Sequence, residues 1–396
     1  MIEFLTIILI FSIALVVYNY LIYPAILSFL ARGKSLKGAC YSQEELPKIA
    51  LVFAAYNEEK VIVHKLQNID QLNYPSTLLD IHLGLDHPDD QTAKLIQQNI
   101  PSNFSLNVHH FKERSGKANV LNKMFNYSLQ LTDYDIVVMM DANIISKENC
   151  LIELVKYFKN PKVGLVGAVV ENTILVGSEI AEQEQFYMAK ESKIKVNEGL
   201  LFGATIGAFG ACYAIRTKHI VSIPSNFLME DFYLSLNVLK EDAWCITNPA
   251  AIVYEDLNGS MREEFKRKRR ISTGNFQNLK AYIHLVWSKN WRIGFPFVSH
   301  KILRWFSPFL ILLSMATCVA LLILDGGNVF IRFTFLLMLL NLLLPGLDIV
   351  LKIANINLNL LRIHRYFLYM NIAVLLGFID WIKGVKTNIW KPTERI

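Results

Sequence analysis

The sequence predicts a membrane-anchored α/β protein: a central domain on a mostly parallel sheet, with transmembrane helices at its N- and C-terminal ends. Three observations carry this reading. Hydrophobic residues make up 53% of the 396, and the mean hydropathy is positive, which is too apolar for an ordinary soluble enzyme. Long uncharged runs are confined to the two ends of the chain. Between them, residues 46–260 alternate short β-branched apolar runs with amphipathic stretches, the order that favours parallel strands.

Phe4 to Ala31 carries no charged residue. As a helix this run is longer than the bilayer hydrocarbon is thick, so it reads as a spanning segment with room to tilt. A cleaved signal peptide fits poorly, because its apolar region would be about half as long and preceded by a basic residue rather than Glu3. Trp305 to Leu324 is a second uncharged run long enough to span, and Val329 to Leu351 spans if Arg332 and Asp348 sit at the interfaces. Tyr366 to Ile379 is shorter and has the length of an interfacial or re-entrant helix. Arg32, Lys34 and Lys37 follow the first run, and Lys301 and Arg304 precede the second, so the intervening domain is expected in the cytoplasm of a multi-pass inner-membrane protein. Cysteines 40, 150, 212, 245 and 318 show no paired or C-x-x-C spacing, which suits a reducing compartment and speaks against zinc.

In the middle domain, strands are predicted over 48–57, 79–86, 105–111, 134–141 and 163–171. Helices are predicted over 58–70, 90–99, 116–129 and 147–159. Ligands of open α/β sheets bind beyond the carboxyl ends of the strands. Three such ends are rich in acids and amides: "AAYNEE" (54–59), "LDHPDDQT" (85–92) and "MDANI" (140–144). Any one of them is also explained by turn and cap chemistry.

These segments, with "RSGKANVLN" (114–122), "GAFGACYAIR" (207–216), "MED" (229–231) and "RKRRI" (267–271), occur in the order and approximate spacing of the motifs of the inverting family 2 glycosyltransferases. The chain resembles that family over about residues 48–275. The resemblance implies a GT-A fold, a Rossmann-like mostly parallel sheet, and a UDP-sugar as donor. In it, Tyr56 and Glu58 frame the nucleotide, Asp86 reads the uridine base or ribose, and Lys117 approaches the nucleotide. The alternative for "SGK" is a turn and cap before a helix. Asp141 and Asn143 match the family's Asp-x-Asp position, where Mg²⁺ or Mn²⁺ neutralises the diphosphate leaving group. Asn143 offers at best a neutral oxygen, so Asp141 carries that expectation.

Glu230 and Asp231 match the family's Thr-Glu-Asp motif, which implies that Asp231 is the general base for the acceptor hydroxyl. The alternative is helix-capping acids. One base without an enzyme nucleophile implies inversion. "RKRRI" stands in for Gln-x-x-Arg-Trp: Arg270 keeps the guanidinium expected near the diphosphate, while Arg267 and Ile271 replace Gln and Trp. Arg267 is grouped with the donor-binding residues. The basic run Lys266 to Arg270 also reads as a face for anionic lipid, and lacks the aromatic interleaving expected for nucleic acid. Gly207 to Gly210 is expected to wall the acceptor pocket, with close backbone packing as the alternative. "NIWKPTER" (388–395) loosely resembles the terminal segment of hyaluronan and chitin synthases, with Trp390 over the nucleotide. The alternative is a plain basic tail.

The expected organisation is an N-terminal membrane helix (1–32), a catalytic domain (46–260), a basic interfacial segment (261–304) and a C-terminal membrane region (305–396). The expected activity is that of a metal-dependent hexosyltransferase extending a glycan or lipid-linked acceptor. Polymer synthesis and single-sugar transfer both remain open, and loss of the motif Trp favours the second. A transporter or scaffold with a nucleotide-binding domain is the alternative class, but the spans lack the polar residues and repeats of transporters.

Overall fold

The computed structural model describes residues 1–36, 38–128, 134–173, 181–256, 260–354, 356 and 358–389. One sheet contains β1 Ile49–Ala55, β2 Leu79–Leu85, β3 Ser105–His110, β4 Ile136–Met140, β5 Ile145–Ser146, β6 Val163–Thr173, β7 Cys212–Arg216 and β8 Trp244–Asp256. The spatial order is β3-β2-β1-β4-β7-β6-β8-β5. β1 pairs in parallel with β2 and β4, β2 with β3, and β6 with β8. β7 and the short β5 run against their neighbours. β1, β2, β3, β4 and β6 fall on the predicted runs. β7 lies in the glycine-rich stretch, and β8 lies where the sequence pattern predicts no element.

The helices are α1 Ile2–Val17, α2 Tyr23–Leu30, α3 Ile62–Asp70, α4 Thr92–Gln98, α5 Lys117–Lys123, α6 Cys150–Val155, α7 Ala181–Phe202, α8 Glu230–Lys240, α9 Met261–Tyr282, α10 Trp291–Pro296, α11 Leu303–Leu324, α12 Val329–Ile353 and α13 Asn359–Lys383. Alternation along β1 sorts the core onto two faces. Ile49, Leu51 and Phe53 pack toward α3 and α6, whereas Ala50 and Val52 pack toward α5 and α8. Both sets are essentially fully buried, as expected for a parallel sheet covered on each side.

Among the described residues, four helical stretches are long and apolar enough to cross a membrane: Ile2–Leu30, Trp291–Leu324, Val329–Ile353 and Asn359–Lys383. A π-helical turn, Tyr18–Ile22, joins α1 to α2 just before Pro24 in the first turn of α2. Proline has no N–H to give the preceding turn, and the wider turn absorbs that defect. The predicted boundary at residue 304 is not a break, because the helix runs on from Trp291. Its charges at 301 and 304 both pair with the single carboxylate of Glu191, Lys301 at 2.6 Å. The short last apolar run grows into the 25 residues of α13, because its flanking charges find partners: Arg365 pairs with Asp348 at 2.8 Å and Asp380 with Arg269 at 2.5 Å.

The basic run on α9 is largely engaged by carboxylates, although Lys266 and Arg269 keep 59% and 42% of their side chains exposed. Lys266 pairs with Glu263, Arg267 with Glu255 and Glu264, Lys268 with Glu184 and Glu264, and Arg269 with Asp380, while Arg270 lines the cavity described below. α13 lies along α9, with Ser272 and Thr273 donating to the carbonyls of Val374 and Gly377 at 2.9 and 3.1 Å. A Cβ at Gly377 would come within 2.6 Å of the Arg269 carbonyl and 2.5 Å of Ser272 Cβ, so the contact requires glycine. Gly377→Val is expected to cost about 1–3 kcal/mol through overpacking. Thermal melting checks this, with limited proteolysis showing faster clipping of the C-terminal segment.

Candidate active site

The carboxyl ends of β1, β2 and β4 open onto one edge of the sheet, at the point where the strand order reverses between β1 and β4. Because β7 is antiparallel, the loop entering it, Gly207 to Ala211, reaches the same edge, as does the first turn of α8. Two loops there hold residues in left-handed backbone, Asn57 at φ 51° and His87 at φ 53°. Asn accepts this conformation more readily than most residues, and the Asn57 amide is tied to Asp89, whose N–H donates back at 3.1 Å. Glu58 N–H donates to Thr92 at 2.8 Å and Glu59 N–H to Asp90 at 3.2 Å, so the loops after β1 and β2 clasp each other.

Asp86 is buried and fixes the next loop. Its carboxylate accepts from Ser115 N and Gly116 N, each at 2.8 Å, which sets the turn that starts α5. Gly116 takes φ +84° there. Arg114 stacks over the Tyr56 ring, 3.7 Å from its centroid. The turn delivers Lys117 to the centre of the site, where its Nζ bridges Asp141 at 2.5 Å and Glu230. Burial pulls the Lys117 ammonium down, but Asp141 and Glu230 overcome this and hold it well above its usual range.

Asp141 leaves the end of β4, its N–H donating to Ala211 O at 3.0 Å. Behind it, the fully buried Lys65 on α3 donates to Ile144 O at 2.7 Å and pins the loop carrying Asp141 and Asn143. Burial lowers the Lys65 ammonium to about 8.

Asp231 and Glu230 open α8, and both are buried. Burial would raise Glu230, but Lys117 holds it down, so it stays ionised. Asp231 is pushed up to about 6, first by burial and then by the charge of Glu230. A base poised near neutrality is what proton transfer from a hydroxyl requires. A Cβ at Gly210 would sit 2.8 Å from Asp231 Oδ2, so glycine there leaves the carboxylate its place.

Tyr56, Glu58, Asp86, Lys117, Asp141, Asn143, Glu230, Asp231, Arg267 and Arg270 line one cavity of about 360 Å³. Trp390 lies outside the described residues. Sequence reasoning missed part of the same wall: Glu191 and Lys195 from α7, Lys301 in the turn before α11, Arg304 and Trp305 at the start of α11, and Arg114. Arg114 stood within a quoted motif, whereas α7 falls where the pattern predicts no element. The segment after α13 also reaches the cavity. Asn226 donates to Val385 O at 3.0 Å, the Asn388 amide lies within hydrogen-bond reach of Ser115 O and Ala118 N, and Ile389 lines the wall.

Among the described residues no cluster of three His, Cys, Asp or Glu side chains forms a metal cage. The donor set fits a hard cation held by one carboxylate, with phosphate oxygens and water completing its shell. The Asp141 side chain is 34% exposed to the cavity and meets Lys117 through Oδ1.

Residues 47–270, more than half the chain, match the family model described as Glycosyltransferase like family 2. Poly-beta-1,6-N-acetyl-D-glucosamine synthase of Staphylococcus aureus (strain COL) is 32% identical over 124 residues, covering 31% of this chain and 28% of the relative. Beta-monoglucosyldiacylglycerol synthase of Trichormus variabilis is 29% identical over 126 residues, covering 31% and 26%. The matched stretch thus spans under a third of the length of these curated relatives. Among solved structures, the mannosyltransferase PcManGT from Pyrobaculum calidifontis, in complex with GDP-Man and Mn²⁺, aligns with a TM-score of 0.71 at 18% identity, covering 95% of this chain and 99% of that one. Sheet, helices and motif order therefore converge, and the chain belongs to the glycosyltransferase family 2, on a GT-A fold with membrane helices at both ends.

Proposed function

We propose that the protein transfers a sugar, with inversion, from a UDP-sugar to a hydroxyl of a membrane-borne acceptor. The observation that carries this is the meeting of Asp141, Glu230, Asp231 and Arg270 in one cavity at the carboxyl edge of the sheet, beside helices long enough to span a bilayer.

Tyr56, Arg114 and the loop clasped by Asp86 hold the nucleotide. Asp141 would hold Mg²⁺ or Mn²⁺, with Asn143 beside it, and that ion would offset charge building on the departing diphosphate. Lys117 and Arg270 supply fixed positive charge to the same diphosphate, Arg270 with the fork geometry suited to phosphate oxygens. The acceptor hydroxyl oxygen attacks the anomeric carbon from the face opposite the diphosphate. As the new C–O bond forms, the bond from that carbon to the phosphate oxygen breaks and its electron pair leaves on the diphosphate. The hydroxyl proton passes to Asp231. Glu230 positions Lys117 and keeps Asp231 basic. Because no enzyme nucleophile takes part, an α-linked donor gives a β-linked product.

The catalytic domain faces the cytoplasm, by the basic residues flanking the spans. α13 lies along the membrane surface rather than across it. Its side chains follow α9 and the segment after it returns to the cavity, which a crossing helix would not allow.

A donor screen on purified protein in native lipid tests the reading, following nucleotide release from UDP-glucose, UDP-N-acetylglucosamine, UDP-galactose and GDP-mannose. Release from a uridine donor that depends on Mg²⁺ or Mn²⁺ is expected. Preference for GDP-mannose would overturn the uridine assignment, and release from none would overturn the activity.

A further inference from the structure

The mechanism above makes no use of Lys195, a buried cation of the cavity wall. Lys195 on α7 is 4% exposed and lines the cavity, yet among the described residues no carboxylate lies within ion-pair reach of its Nζ. Its ammonium rests on the face of Phe209, 3.4 Å from the ring centroid. Gly210, the next residue, abuts the Asp231 carboxylate, so Lys195 stands on the base's side of the site. Lys117 instead attends to Asp141 and Glu230.

Two further cations share this end. Lys301 and Arg304 both pair with the single carboxylate of Glu191, which also accepts from His300 at 3.1 Å. Nearby Glu198 is already engaged by Tyr23 OH at 2.9 Å and His300. Glu191 and Glu198 are thus both taken up by other partners, and Lys195 is left without a carboxylate in ion-pair reach among the described residues. Burying an uncompensated ammonium is costly, and burial lowers Lys195 to about 7. An arriving anion would repay that cost.

The position of this end indicates what brings the anion. Arg304 lies over Tyr20, 5.7 Å from its ring centroid, and Asn19 donates to Ser307 at 3.3 Å. The cationic end therefore sits between Ile2–Leu30 and Trp291–Leu324, two helices with the length and composition of membrane spans. We propose that Lys195, with Lys301 and Arg304, forms an anion subsite for the phosphate of a lipid-carried acceptor. The phosphate is bound there while a sugar hydroxyl of the same acceptor faces Asp231. This rests on the glycosyltransferase reading and narrows its acceptor to a phosphorylated lipid carrier rather than a neutral diacylglycerol.

The test uses the full chain in nanodiscs of phosphatidylcholine, its donor site saturated with UDP and Mn²⁺. The probes are farnesyl diphosphate, farnesol and inorganic pyrophosphate. Farnesyl diphosphate is expected to bind, farnesol not to, and inorganic pyrophosphate to compete at least about tenfold less well. Lys195→Met is expected to weaken farnesyl diphosphate at least about tenfold while UDP affinity stays within about twofold, and Lys195→Arg to retain binding. Equal binding of farnesol, or an unchanged Lys195→Met, would overturn the subsite. Pyrophosphate binding as tightly as farnesyl diphosphate would overturn the lipid source. Failure of UDP itself to bind would fall on the donor reading instead, which separates the two.

Discussion

Asp231→Asn is expected to lower kcat by roughly 10²–10⁴-fold while leaving nucleotide-sugar affinity within about twofold. The amide keeps the volume and the hydrogen-bonding capacity of the side chain but cannot take the acceptor's proton. Steady-state kinetics together with calorimetric titration of the donor separate the two quantities. The wild-type rate should also rise with pH through about 6, where Asp231 loses its proton, and level off above it. Asp231→Asn should abolish that limb. The folded state raises this carboxyl from 3.8 to about 6, so its contribution to stability is present at low pH and is lost as pH rises through the folded value. The charged carboxylate therefore destabilises the fold at neutral pH and above, and Asp231→Asn should melt no lower than wild type there. A variant that is inactive and equally stable points to chemistry; one that is inactive and unfolded would not.

Asp141→Ala should weaken nucleotide binding in the presence of Mn²⁺ by at least about 100-fold, because outer-shell partners of a metal alone account for about 10–100-fold. With the carboxylate that would hold the ion gone, the residual affinity should lose its dependence on Mn²⁺, while the Lys117 ammonium keeps Glu230 as a partner. Asn143→Ala, removing a neutral oxygen at most, should cost far less. Calorimetric titration with and without EDTA checks all three. Equal losses at 141 and 143 would mean that the two side chains share the ion.

The strands that carry Tyr56, Asp86 and Asp141 were legible because each is a β-branched run closed by acids and amides, a pattern that period-two burial and turn chemistry both demand. The first helix and the two long C-terminal helices were legible from length and charge alone. α7 was not, because its buried stripe is polar. Glu184, Glu191, Lys195 and Glu198 recur at helical spacing and face inward, where a hydrophobic-periodicity reading looks for apolar residues. Glu191 and Lys195 of that stripe line the cavity, so this wall went unseen. The length of α13 was underread because Arg365 and Asp380 were taken as its ends. Both are neutralised across helix contacts that no linear pattern displays. The partners of the basic run on α9 were hidden for the same reason: Arg267, Lys268 and Arg269 also answer carboxylates outside their own helix.

The most direct test of the central claim is a structure of the protein with a UDP-sugar and Mn²⁺, the metal located by its anomalous scattering. The account predicts a manganese peak in coordinating contact with Asp141 and with the diphosphate, Arg270 on the phosphate oxygens and the anomeric carbon turned toward Asp231. A peak at Glu255 or Asp256, or a diphosphate held by Lys117 with no metal between it and Asp141, would contradict it.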